Sequence, residues 1–229
     1  MSPSRDPYGD PTWLQHNRVK LALHQLDEHE KRVGHPLLLL HGLGEESPTE
    51  LPAWAATWPG SVYALDFTGH GRSTVPEGGG YTPEILIADA DAALARIGPA
   101  TVAGRGLGAY VALMLAGSRP SHVRGAILCD GPGLTGAGPE PPRGVIAGLD
   151  EPSTSRESPD HWALLELSQD PRPPDYAVNF VRDASNGSPV EPAIAVVATE
   201  STPWLDAVVA EPAVVVLSLE AAIELYAST

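Results

Sequence analysis

Apolar residues along this chain fall into short runs separated by polar, Gly- and Pro-containing stretches, and the runs differ in period. Arg18 to Leu26 alternates, with Val19, Leu21 and Leu23 set against Lys20 and His24, as a half-buried strand does. Pro36 to His41, Val62 to Phe67, Thr101 to Gly104, Val123 to Cys129, Ala193 to Thr199 and Ala213 to Leu219 are instead apolar throughout, the pattern of strands covered on both faces. Helices are predicted between them. One starts at Thr82-Pro83, an N-cap residue followed by a proline that suits the first turn, and runs to Ile97 before Gly98-Pro99. Others are predicted over Leu107–Gly117, Pro159–Ser168, Pro174–Ala184, Pro203–Val209 and Glu220–Ala227, with a short one over Thr49–Thr57.

Buried strands alternating with helices predict an α/β protein with a mostly parallel, doubly wound sheet. Its 229 residues suit one domain. Residues 1–16 read as a loosely ordered arm, Asp27 to His35 as a charged turn, and Asp130 to Pro142 as a long surface loop. The Pro-rich segment 132–190 reads as a short lid-like insertion between two sheet strands rather than a second domain.

Composition narrows the partners. The formal net charge is −15, which disfavours nucleic acid and anionic membranes. The lone cysteine, Cys129, excludes an internal disulfide and reads as a small buried residue. The N-terminus lacks a basic-then-apolar leader, and no apolar run is long enough to span a bilayer, so a cytoplasmic location is expected. Oligomeric state is not legible.

Three segments at strand ends carry the candidate chemistry: His41-Gly42-Leu43-Gly44, Asp66-Phe67-Thr68-Gly69-His70-Gly71-Arg72-Ser73, and Gly104-Arg105-Gly106-Leu107-Gly108 between a strand and a helix. Their order resembles the α/β-hydrolase superfamily over roughly residues 18–220, with Cys129-Asp130-Gly131-Pro132-Gly133 similar to its loop leading into the lid. The resemblance implies that the third segment is the nucleophile elbow, Gly-x-Ser-x-Gly, a sharp turn that holds its central residue at positive φ. Here that residue is Gly106. It also implies an acid after the Ala193–Thr199 strand, where Glu200 stands, with Asp130 a second candidate. It further implies a His after the last strand, where the sequence reads Ser218-Leu219-Glu220-Ala221 and no His follows His161. Nucleophile and base are thus both missing, and a pseudo-hydrolase is expected, with no confident catalytic residue and no cofactor or metal.

What the resemblance leaves is binding apparatus. His41, Gly42, Leu43, Arg105, Gly106 and Leu107 are the candidate binding residues, the amides of Leu43 and Leu107 forming a cradle for an oxyanion or a ligand oxygen. A small apolar or ester-like ligand, or a protein partner, is the implied occupant. Arg105 either pairs with a carboxylate or folds over the pocket. His41, His70 and Asp66 read as hydrogen-bonded loop residues, and His161 as packing beside Trp162. Two competing readings stand. One is a weak esterase in which His41, His70 or Glu200 activates a water. The other is a dinucleotide site, since Gly104-x-Gly106-x-x-Ala109 matches Gly-x-Gly-x-x-Gly/Ala with Asp130 ending the next strand.

Overall fold

The computed structural model describes residues 10–16, 18–27, 33–134, 158–168, 172–200 and 202–229. Among the described residues eight strands form one sheet: β1 (Thr12–His16), β2 (Val19–Gln25), β3 (Gly34–Leu40), β4 (Gly60–Leu65), β5 (Ala100–Arg105), β6 (Val123–Cys129), β7 (Ile194–Val197) and β8 (Val214–Val216). Their spatial order is β1-β2-β4-β3-β5-β6-β7-β8. β1 pairs antiparallel with β2 and β2 with β4, while every pair from β4 to β8 is parallel. The expected α/β class and mostly parallel sheet are therefore present.

Six helices among the described residues accompany the sheet: α1 (Pro83–Ile97), α2 (Leu107–Ser118), α3 (His161–Glu166), α4 (Tyr176–Gly187), α5 (Pro203–Val209) and α6 (Leu219–Ala227). Alternate strand residues feed two apolar layers, as the pleat requires. Leu38, Leu40 and Val102 join one layer with α1, α2, α4 and α5, whereas Leu37, Leu39 and Ala103 join the other with α6. The first layer is the deeper. Every residue of α2 from Leu107 to Ala116 is buried, because the helix lies on the sheet and is itself covered by α1 and α4.

Four expectations need correction. The arm contains β1, an edge strand whose Trp13 is 49% exposed, so it lacks the fully apolar run that marks a central strand. The charged turn ends earlier, since Gly34 and His35 belong to β3; residues 28–32 lie outside the described set. β8 is a three-residue edge strand, half-exposed rather than buried. Thr49–Thr57 is not an α-helix. Only a single 3₁₀ turn forms at Ala53–Ala55, after Pro52, because prolines at 48 and 52 supply no amide for helical bonding. The second face of the sheet is therefore thinly covered beside β3 and β5. In the 132–190 segment, α4 packs on α2 through Ala177, Val181 and Ala184; residues 135–157 lie outside the described set.

Candidate functional site

Gly106 sits at the bend between β5 and α2 with φ 53° and ψ −116°. This conformation strains any residue carrying a Cβ and costs glycine nothing. The sequence-predicted elbow is thus present in its backbone. What lies over it was not legible in the sequence.

The chain leaving β6 turns back across the elbow. The amides of Leu43 and Leu107 both donate to the carbonyl oxygen of Pro132, each at 2.9 Å, and the Gly106 amide donates to Cys129 O at 3.0 Å. The two amides expected to cradle a ligand oxygen therefore converge on one protein oxygen. A Cβ placed on Gly106 would collide with Pro132 O and the Gly131 carbonyl group. The fit is reciprocal. A Cβ on Gly42 would come within 2.7 Å of the Pro132 ring, and one on Gly133, at φ 118°, within 2.8 Å of Leu107 Cβ. Beyond this loop, Leu134 is fully buried at φ 46°, and its amide donates to Leu167 O at 3.2 Å. The space left beside Gly106, bounded by Asp130, Glu200 and Trp204, holds about 20 Å³, room for about one water.

α3 lies above these loops. Asp160 caps it, and its carboxylate also accepts from the Tyr81 hydroxyl at 2.6 Å; the Asp160 amide donates to Gly69 O. Glu166 accepts from the amides of Gly80 and Tyr81 at 2.7 and 2.6 Å. Burial and the neighbouring Asp160 carboxylate raise the Tyr81 phenol far above its usual range. His161 is exposed and stands edge-on to Trp162.

Both loop histidines are spent on backbone. His41 Nε2 accepts from the Phe67 amide at 3.1 Å, which places the proton on Nδ1, donating to Gly42 O at 2.8 Å. His70 Nε2 accepts from the Gly44 amide and its Nδ1 faces Thr68 O, each at 3.2 Å. Burial holds both neutral, His41 down to about 3, with the adjacent His70 ring adding to the shift. Asp66 accepts from His24 Nε2 at 3.0 Å and from the amides of Ser47 and Arg72 at 2.8 Å. These bonds outweigh burial and hold its carboxyl well below the ordinary carboxylate range.

The candidate acids are also committed. Asp130 accepts from the Thr199 amide at 2.5 Å, the Thr199 hydroxyl at 2.7 Å and the Glu200 amide at 3.2 Å, so it ties β6 to the loop after β7. Glu200 is exposed. Where the resemblance places a base, Ser218 caps α6 by accepting from the Ala221 amide. A serine–imidazole contact, Ser121 Oγ to His122 Nδ1 at 3.1 Å, lies before β6, at the opposite edge of the sheet. Arg105 takes the first of its two expected roles, donating to Glu45 at 2.6 Å. The dinucleotide reading needs the first α2 amides and the Asp130 carboxylate, and the protein itself engages both. Among the described residues no group of side chains suits a metal ion.

The structure resembles known hydrolases over most of its length. A carboxylesterase from the ammonia-oxidizing thaumarchaeon Nitrososphaera gargenis superimposes with a TM-score of 0.60 at 15% identity, covering 93% of this chain and 92% of that one. The thioesterase domain from the curacin biosynthetic pathway gives 0.59 at 18% identity, covering 96% and 97%. At such identities the likeness concerns fold. No curated protein matches the sequence. The model of the alpha/beta hydrolase family matches residues 37–223, which span the three motif segments and six strands in whole or part, from β3 to β8. This chain belongs to the alpha/beta hydrolase family.

Proposed function

We propose that this chain is a family member without serine-hydrolase chemistry, a pseudo-hydrolase whose oxyanion hole is filled by its own backbone. The observation that carries the reading is the Pro132 carbonyl, which accepts from the Leu43 and Leu107 amides as a substrate carbonyl would. Three further features agree. Position 106 has no side chain and no room for one, the expected base position is a helix cap, and the imidazoles nearest the elbow are neutral and doubly bonded. Binding then remains as the function, for a small ligand or a partner, with 132–190 as a lid-like insertion in a single domain. The single cysteine suits a reducing compartment such as the cytoplasm.

The competing reading, a slow esterase, draws support from the carboxylesterase and thioesterase likenesses. General-base catalysis alone contributes about 10²–10⁴-fold, and here it needs an open cradle and a free imidazole. Fluorophosphonate labelling and short p-nitrophenyl ester turnover separate the two. The proposal expects no adduct and no turnover above a heat-denatured control. Stoichiometric labelling at one serine, or turnover abolished by Glu200→Ala, would overturn it.

A further inference from the structure

On the other face of the sheet a cleft of about 390 Å³ opens at the carboxyl ends of β3, β5 and β6. It exists because the 3₁₀ turn at Ala53–Ala55 covers less of the sheet than a helix would. Leu39, Ala103 and Cys129 form its floor, and Pro52, Trp54 and Leu219 its walls. Its volume lies in the range of small-molecule sites, and it is some twenty times the space at Gly106. Past Trp54 and Leu219, which line both, it adjoins a groove that carries Glu220 and Glu224 of α6.

The polar groups around the mouth set its charge. Arg105 is the one cation lining either space among the described residues, and its guanidinium is already bonded to Glu45 at 2.6 Å. Among the described residues Glu46 at the mouth and Glu220 and Glu224 alongside have no such counter-ion. The Ser47 hydroxyl, buried in the wall, lies near the Asp66 carboxylate without a hydrogen bond of good geometry. The whole chain's charge of −15 adds a field of the same sign.

We propose that this cleft, not the space over Gly106, is the ligand site, and that it takes a small apolar molecule carrying one positive charge, an aryl- or alkylamine. The apolar body fills the floor between Leu39, Ala103 and Cys129 and meets the Trp54 ring. The ammonium stays at the mouth, facing Glu46, where water still reaches it and full desolvation is avoided. The proposal names the ligand class for the binding role argued above and rests on that reading.

Cys129, the chain's one thiol, lines the cleft and also borders the space at Gly106, but that space of about 20 Å³ is too small for an aryl ligand, so protection of the thiol by such a ligand reports occupancy of the cleft. Burial pushes it up to about 11, making its alkylation slow enough to time by intact mass. Three probes of one shape and different charge are titrated: 1-naphthylmethylamine, 1-naphthalenemethanol and 1-naphthoate. The amine is expected to bind one per chain, about tenfold tighter than the alcohol and more so than the acid, and to slow Cys129 alkylation in proportion to occupancy. Leu219→Trp, at a half-exposed wall position, abolishes binding and protection, and Glu46→Gln erases most of the amine's advantage while the alcohol still binds. Equal binding of amine and alcohol, preference for the acid, or amine binding that leaves alkylation unchanged would each overturn the proposal. Fluorophosphonate labelling reads the elbow separately. A protein that is labelled yet protects Cys129 fails only the pseudo-hydrolase reading, and one that stays unlabelled yet shows no protection fails only this one.

Discussion

The two sides of β5 end differently. On the α2 side the carboxyl end of the strand runs into the elbow, where Gly131-Pro132-Gly133 is wedged and about 20 Å³ remains. On the α6 side the same strand ends in an open cleft of about 390 Å³. A family that works over the elbow would keep the first side open. Here backbone complementarity has closed it: a carbonyl sits on two amides, and glycines stand wherever a side chain would push that carbonyl away. The other side is open for a plain reason, since prolines prevent the helix that would cover it. Space is scarce beside the glycine of the elbow and persists on the face away from it.

The comparison can be broken most severely at Gly106. Gly106→Ser combines a side chain at positive φ with a collision against the 131–132 backbone. It is expected to cost about 3 kcal/mol or more in denaturant unfolding and to restore no esterase activity. A stable, active Gly106→Ser protein would mean that the loop yields easily.

Acid should act next, and through the elbow side. His41 and His70 have folded-state pKa values depressed below about 6.5. Their contribution is complete above that pH and is lost as pH falls toward the folded values. Unfolding free energy should therefore drop by about 2–3 kcal/mol between pH 7 and pH 4. Asp89 works the other way. Burial raises it to about 6, so the proton it gains as pH falls through that value favours the native state. Asp89→Asn should steepen the acid loss, and a shallower profile would contradict this account of the buried groups.

Gly133→Ala tests the wedge without touching the elbow residue. Its Cβ would press on Leu107 and Leu43 Cβ at 2.8 and 3.0 Å from a backbone at φ 118°. A loss of about 2 kcal/mol is expected in denaturant unfolding. The smallest effect belongs to Arg105→Ala. An ion pair whose arginine side chain is 53% exposed should contribute less than about 1 kcal/mol, measured by thermal unfolding at two salt concentrations.

Much of this was legible in the chain itself. The buried parallel strands announce themselves as unbroken apolar runs, and Thr82-Pro83 and Gly98-Pro99 bracket α1 because capping is local chemistry. The elbow was legible because its glycines answer to a backbone conformation within five residues. Edges were harder. β1 and β8 owe their existence to a neighbour on one side only, and Trp13 or Val216 can stay exposed there. The wedge was out of reach for another reason. Gly131-Pro132-Gly133 is visibly a turn, but its destination depends on residues 43 and 107 being brought beside it by three separate crossovers. Glu200, Asp130 and His70 looked available for chemistry for the same reason: their partners, the Thr199 and Glu200 amides or the Gly44 amide, are fixed only by the folded loops.

Native-state hydrogen exchange at the amides of Leu43 and Leu107 tests the occupied cradle most directly. If Pro132 O holds both, they exchange as slowly as the central β3 and β5 amides, and Gly133→Ala speeds both together. Exchange of the two amides at the rate of exposed loop positions, with the β3 and β5 amides still protected, would show an open oxyanion hole and contradict the account.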